Sequence, residues 1–108
     1  MAEIKIRDNT QAAGAFFRAV RHFALTTRPW EPAIWYETKP DERYDLTLVS
    51  QRVYGRRDEY LVIMAAAGLS HVDDELTERK LCLPNEGQLR KIKLSTGYES
   101  IGRRASLV

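Results

Sequence analysis

The chain holds a single cysteine, Cys82, in 108 residues. This excludes an internal disulfide framework and is typical of a protein made in a reducing cytoplasm. Long apolar runs are also absent, and none approaches the roughly 20 residues that a membrane-spanning helix needs. The first ten residues include acidic side chains and lack the apolar segment of a secretory signal. We therefore expect a protein that is neither secreted nor anchored in a membrane.

Neither sign of charge dominates the composition. Seventeen Lys and Arg residues stand against 15 Asp and Glu residues, a formal net charge of +2. That balance gives no argument for a nucleic-acid partner. The one cysteine and two histidines lack the spacing of a zinc site, and we expect no metal or other cofactor. A hydrophobic fraction of 44% instead predicts one ordinary globular domain.

Residues 1–32 are predicted to form a strand followed by a helix. Ile4 and Ile6 alternate with charged neighbours, as in a short half-buried strand. From Thr10 to Ala24 the apolar residues recur at spacings of three and four, which predicts an amphipathic helix. Two prolines follow within eight residues and cannot lie inside a continuing helix.

Residues 33–84 are predicted to form a strand, two helices and a second strand. The strands are placed at Ala33–Thr38 and Arg79–Leu83 from their β-branched, aromatic or alternating residues. Gly55 and Gly68 supply the positive φ that commonly follows a helix, so they mark the ends of the two helices. The predicted core of this unit is Leu46, Val49, Val53, Leu61, Met64, Leu81 and Leu83, with Cys82 on the opposite face of its strand.

Residues 85–108 are predicted to form a turn, a strand and an extended arm. Leu89–Leu94 shows partial alternation of apolar and basic residues, which favours a strand. From Ser95 onward the apolar pattern is lost, so we expect an arm that is mobile unless a partner holds it.

The order strand, helix, helix, strand in residues 33–84 resembles the LysM module. The short motifs that carry the resemblance are Arg52-Val53-Tyr54-Gly55, Ala67-Gly68-Leu69 and Leu81-Cys82-Leu83-Pro84, together with Tyr60. The first motif is most similar to the LysM-like baseplate and tail proteins of contractile-tailed phages, such as tail protein X and the small baseplate wedge proteins. The resemblance implies an α+β fold with a LysM-like β-α-α-β core, extended by an N-terminal strand and helix and by a C-terminal strand and arm.

The same resemblance implies a structural virion protein and not an enzyme. Such a protein would be assembled in the host bacterial cytoplasm and would lie in the tail baseplate in multiple copies. Its partners would be wedge, hub or tube subunits that it cements together, with no nucleic acid and no membrane involved. Two alternatives stay open: a peptidoglycan- or chitin-binding LysM module, and a small cytoplasmic enzyme or regulator. Ala67 stands where that family commonly has Asn, which counts against glycan binding.

Six residues are candidates for contacts with partner proteins. Trp30 lies between two prolines in an irregular segment, where aromatic residues often anchor an interface. One short basic pair follows the first core helix, and a second lies near the end of the chain. Tyr98 lies in the predicted arm. The full set of candidates is Trp30, Arg56, Arg57, Tyr98, Arg103 and Arg104.

Two groups of residues could carry chemistry. Cys82 and His71 are a possible nucleophile and base, although a thiol in an apolar strand is usually a packing residue. Asp73-Asp74-Glu75 could bind a hard cation, but its spacing matches no calcium-binding loop and favours a solvated connection. Neither group gives a convergent set of polar residues.

Overall fold

The computed structural model describes residues 2–98, with side chains described from Gln11 onward. Four α-helices and two β-strands lie in the described part of the chain, and this confirms the α+β class. The elements are α1 (Ala2–Thr26), β1 (Ile34–Glu37), α2 (Leu46–Tyr54), α3 (Tyr60–Ala67), β2 (Lys80–Leu83) and α4 (Glu86–Thr96). Single-turn 3₁₀ helices at Pro40–Glu42 and Arg57–Glu59 precede α2 and α3.

The two strands form one antiparallel pair whose two faces differ. Ile34 pairs with Leu83 and Tyr36 with Leu81, and these four side chains face the hydrophobic core. Trp35 pairs with Cys82 on the other face, which lies outside that core. Successive strand residues point to opposite faces, so the predicted separation of Cys82 from Leu81 and Leu83 is observed.

Glycine ends both central helices as the sequence predicts. Gly55 and Gly68 each have a φ of 74°, the left-handed conformation that residues with a Cβ rarely adopt. Beyond α3, the N–H of Leu69 donates to the carbonyl of Met64 over 3.0 Å, so the chain folds back on the helix. At the start of α2, the Asp45 carboxylate accepts a hydrogen bond from the N–H of Leu48.

A single core lies among α1, the central helices and the inner face of the sheet. Of the seven residues predicted for this core, Leu46, Val49, Leu81 and Leu83 belong to it, while Val53, Leu61 and Met64 are half-buried and pack against it. Val62 and Ile63 are fully buried instead. Because α3 is apolar on nearly every side, its sequence pattern does not indicate which face is buried.

The predicted N-terminal strand is wrong, because Ile4 and Ile6 lie within α1. An alternation of two residues is too short to distinguish a strand from a helix. Once the amphipathic segment from Thr10 has formed a helix, each preceding residue that joins it adds one backbone hydrogen bond without a new nucleation step. The helix therefore begins at Ala2 rather than near Thr10.

The predicted C-terminal strand is also wrong, because Leu89–Leu94 lies within α4. The helix starts with a capping box: Asn85 accepts a hydrogen bond from the N–H of Gln88, and the side chain of Gln88 accepts one from the N–H of Asn85, each over 2.9 Å. These reciprocal bonds satisfy two donors that a helix start otherwise leaves unpaired. Leu89 and Ile92 then face the core at a helical spacing of three.

The start of the predicted arm belongs to the folded domain. Ser95 and Thr96 complete α4, and Gly97 ends it with a φ of 74°. Tyr98 is buried with its ring stacked on that of Phe16 in α1, at 4.4 Å between centroids. The expectation of a mobile segment is therefore wrong for Ser95–Tyr98, and residues 99–108 lie outside the described part of the chain.

Candidate interaction surface

The Arg-Val-Tyr-Gly segment connects three parts of the β-α-α-β unit. The guanidinium of Arg52 donates two hydrogen bonds to Asp41 and one to Glu42, over 2.7–2.9 Å. The hydroxyl of Tyr54 donates to the carbonyl of Pro84 over 2.7 Å. Arg52 thus holds the loop before α2, while Tyr54 holds the end of β2. Gly55 follows directly and turns the chain toward α3.

Glu42 is a fully buried carboxylate whose charge is balanced within this segment. It accepts hydrogen bonds from the Tyr36 hydroxyl, the N–H of Lys39 and the Arg52 guanidinium. Burial, followed by the hydrogen bond to Glu42, raises the pKa of Tyr36 to about 12. The Arg52 guanidinium holds the pKa of the neighbouring Asp41 below its usual range. The buried carboxylate of Glu42 is thus both paired with a cation and hydrogen-bonded, as the burial of a charge requires.

A second network fixes the corner between α2 and α3. Buried Ser50 donates to the carbonyl of Arg56 and accepts from the N–H of Glu59. The guanidinium of Arg56 contacts Glu59 at 2.7 Å and Glu86 at 2.8 Å. The ammonium of Lys93, in α4, also contacts the buried Glu59. This network therefore joins the corner to α4.

The chain from the end of α1 into the start of β1 presents large aromatic surface. Trp30 is 75% exposed and Trp35 is 38% exposed. The guanidinium of Arg28 lies 5.6 Å from the centroid of the Trp30 ring. The N–H of Arg28 donates to the carboxylate of Glu31 over 2.7 Å, which holds the turn around Trp30. We call residues 28–35 the tryptophan segment.

The other predicted partner-binding residues lie in several places. Arg56 is half-buried and bound within the chain, as described above, while Arg57 is exposed and donates to the Thr47 hydroxyl over 3.0 Å. Tyr98 is buried against α1, and burial raises its pKa to about 12. Arg103 and Arg104 lie outside the described residues. Partner binding by these residues stays a prediction.

The helical pattern from Leu46 to Val53 predicts Ser50 on the more exposed side, which is wrong, and sequence reasoning missed the burial of Glu42 and Glu59. Ser50 and Glu42 have no exposed surface, and Glu59 has 1%. One local signal was available, because Glu59 follows Arg56 by three residues and the two form an ion pair. Glu42 offers no such signal: it accepts from the N–H of Lys39, but a lysine ammonium cannot accept the reciprocal bond of a capping box.

The residues that could carry chemistry, Cys82, His71 and Asp74, are not brought together as a reaction site among the described residues. Cys82 is buried, and burial raises the pKa of its thiol, which disfavours the thiolate that a nucleophile needs. His71 is exposed in the α3–β2 loop, and no hydrogen bond joins it to Cys82 in the described residues. Asp74 accepts hydrogen bonds from the N–H groups of Ser70 and His71.

The residues Asp73-Asp74-Glu75 do not form a cation-binding site in the part of the chain that the structure describes. Glu75 pairs with Arg43, and no group of three or more His, Cys, Asp or Glu side chains among the described residues could hold a metal ion. No helix in residues 2–98 combines the length and apolar character needed to cross a membrane.

Comparisons with known proteins return no relative of this chain. No protein-family model, curated protein or solved structure matches it.

Proposed function

We propose that this chain is a structural protein of a contractile phage tail, which cements baseplate wedge, hub or tube subunits through a LysM-like domain. The proposal is supported by the arrangement of the Arg-Val-Tyr-Gly segment within a β-α-α-β unit. Arg52 contacts the loop after β1, and Tyr54 contacts the residue after β2. The residues that carry the resemblance to tail proteins are thus the residues that hold this unit together.

The charged networks favour a rigid scaffold over a catalytic role. Glu42 and Glu59 are each bound by a guanidinium and by backbone or side-chain donors. Their carboxylates stabilise loops and helix starts, where they are inaccessible to a substrate. A scaffold of this kind keeps its shape while its exposed side chains contact neighbouring subunits. We accordingly propose that the chain is not an enzyme.

The tryptophan segment is the proposed docking point for a neighbouring subunit. Tryptophan and arginine are enriched among the residues that dominate protein–protein affinity. Trp30 combines 75% exposure with a guanidinium close to its ring, so both can be buried together against a partner. The turn between Arg28 and Glu31 limits the freedom of this segment and so lowers the entropy lost on binding.

Affinity capture from phage-producing cells tests this proposal. A tagged chain should recover baseplate proteins, and Trp30→Ala should recover much less of them. Tyr44→Ala is the matched control, because Tyr44 is 67% exposed and also has a guanidinium, that of Arg43, 5.9 Å from its ring. Recovery of no tail protein by the unmodified chain, or an equal loss in both variants, would contradict the proposal.

The alternative function is binding of peptidoglycan or chitin. The order of strands and helices is equally compatible with that activity, while Ala67 at the end of α3 counts against it. A pull-down on insoluble peptidoglycan and on chitin separates the two functions. Retention by either polymer that soluble N-acetylated oligosaccharide reverses would favour the glycan-binding module.

A further inference from the structure

Positive and negative charges are concentrated in different parts of the chain. Residues 11–30 hold three arginines and no acidic residue, and α4 (Glu86–Thr96) holds one arginine and two lysines against one acidic residue, Glu86. Residues 33–84 hold ten acidic and seven basic residues. The described parts of α1 and α4 therefore carry excess positive charge, and the β-α-α-β unit carries excess negative charge.

The two basic helices lie side by side and run antiparallel. The side chain of Gln88, in the first turn of α4, donates to the carbonyl of Pro32, beyond the C-terminal end of α1. At the other end of α4, Tyr98 stacks on Phe16 of α1. We call the outer side of this pair the basic helical surface. Its exposed residues are Arg18, Leu25, Arg90, Lys91 and Leu94.

The cations of the basic helical surface lack acidic partners within the described chain. Arg43, Arg52 and Arg56 each contact a carboxylate. None of the ion pairs in residues 11–98 includes Arg18 or Lys91. Two large aliphatic side chains lie on the same surface, since Leu25 is 72% exposed and Leu94 is 77% exposed. The surface therefore combines apolar area with positive charge.

A complementary surface lies in the loop between α3 and β2. Asp73 and Glu78 are exposed and take part in no ion pair within the described residues. Val72, beside Asp73, is 45% exposed. The neighbouring Asp74 and Glu75 are already bound within the chain. We call residues 72–78 the acidic loop.

We propose that the basic helical surface of one copy of this chain binds the acidic loop of a second copy. Each surface offers charges of one sign beside exposed aliphatic side chains, and the other surface supplies the opposite sign. Because the two surfaces differ, the contact is head-to-tail, and its repetition closes a ring or extends a filament. This inference rests on the charge distribution and is independent of the proposed tail function.

Sedimentation velocity of the purified chain tests the proposal directly. We expect species larger than a monomer at low ionic strength, with their share rising with protein concentration and falling as salt screens the charges. Arg18→Glu with Lys91→Glu should abolish the association. Lys39→Glu with Arg57→Glu is the matched control, because it makes the same change of net charge at exposed sites outside both surfaces. This control should associate as the unmodified chain does.

A mixing experiment distinguishes a head-to-tail contact from general charge attraction. Asp73→Lys with Glu78→Lys should also give a monomer. An equimolar mixture of this acidic-loop variant with the basic-surface variant should form a 1:1 dimer that does not grow, because one intact copy of each surface remains. A chain that carries all four substitutions should associate again. Circular dichroism melting of every variant checks that each is folded.

Three results would overturn the proposal. The first is an unmodified chain that stays monomeric at low ionic strength and high concentration. The second is an equal loss of association in the Lys39/Arg57 control. The third is binding of an oligonucleotide duplex that Arg18→Glu with Lys91→Glu abolishes, which would assign the basic helical surface to nucleic acid.

Discussion

The hydroxyl of Tyr54 donates a hydrogen bond to the carbonyl oxygen of Pro84, 2.7 Å away, in the interior of the protein. Tyr54 is the last residue of α2, and Pro84 is the first residue after β2. The bond therefore joins the middle of the β-α-α-β unit to its end. Burial raises the pKa of Tyr54, so the hydroxyl keeps its proton and remains a donor at neutral pH.

Replacing Tyr54 with Phe should destabilise the protein by about 1–3 kcal/mol, because the buried carbonyl of Pro84 loses its donor. Urea denaturation followed by circular dichroism measures this change. Tyr44→Phe is the control, since Tyr44 is exposed and its hydroxyl forms no hydrogen bond in the described residues; its stability should stay unchanged. Equal stability of Tyr54→Phe and the unmodified chain would show that the bond contributes nothing.

The two glycines that end the central helices should not tolerate a side chain. Gly55→Ala should cost roughly 1 kcal/mol from its left-handed backbone alone, because nothing lies within 4 Å of the added Cβ. Gly68→Ala should cost about as much as Gly55→Ala, since its Cβ would lie 2.4 Å from Nη1 of Arg21, the far end of a flexible side chain that can move aside. Gly87→Ala, in ordinary helical conformation with no contact closer than 3.6 Å, is the control and should not destabilise. Thermal melting of the three variants gives the order.

Stability should fall as the pH rises from 10 to 12. The pKa values of Tyr36 and Tyr98 are raised from 10.0 to about 12, so the unfolded chain releases these phenol protons first. The stabilisation is fully present below pH 10 and is lost as the pH approaches the folded-state values. Ultraviolet titration of tyrosinate, alongside urea denaturation at each pH, measures both effects. Tyr36→Phe should make this decrease in stability smaller. An unchanged stability of the unmodified chain between pH 10 and 12 would contradict the prediction.

The thiol of Cys82 should react slowly in the native protein. Cys82 is 8% exposed and lies outside the main core, on the sheet face that it shares with Trp35. Burial also raises the pKa of the thiol, which lowers the reactive thiolate fraction. A thiol reagent should therefore label native protein far more slowly than protein in denaturant. Equal labelling rates in the native and denatured states would show that this face of the sheet is exposed to solvent.

The central unit was predictable because its signals are local. Glycine at a helix end reports a backbone conformation that depends on the residue itself, and Gly55 and Gly68 have that conformation. The segment Leu89–Leu94 is different, because six residues of mixed apolar and basic character fit either a strand or a helix. The capping box of Asn85 and Gln88 decides in favour of the helix.

The buried networks depend on contacts that the sequence does not display. Glu42 is buried because Arg52, ten residues further along, reaches its carboxylate. An acidic residue in a turn is ordinarily exposed, so nothing local predicts this burial. The position of Tyr98 likewise depends on Phe16 in α1. Trp30 is exposed, and its role as an interface anchor stays a prediction.

Cryo-electron microscopy of contractile tails, purified from the source organism of this chain, tests the central proposal most directly. We predict density for the β-α-α-β unit in the baseplate, in contact with wedge, hub or tube subunits, with Trp30 buried at one such contact. Mass spectrometry of the same particles should detect the chain. A complete baseplate without density for this unit, in particles from which the chain is absent, would contradict the account.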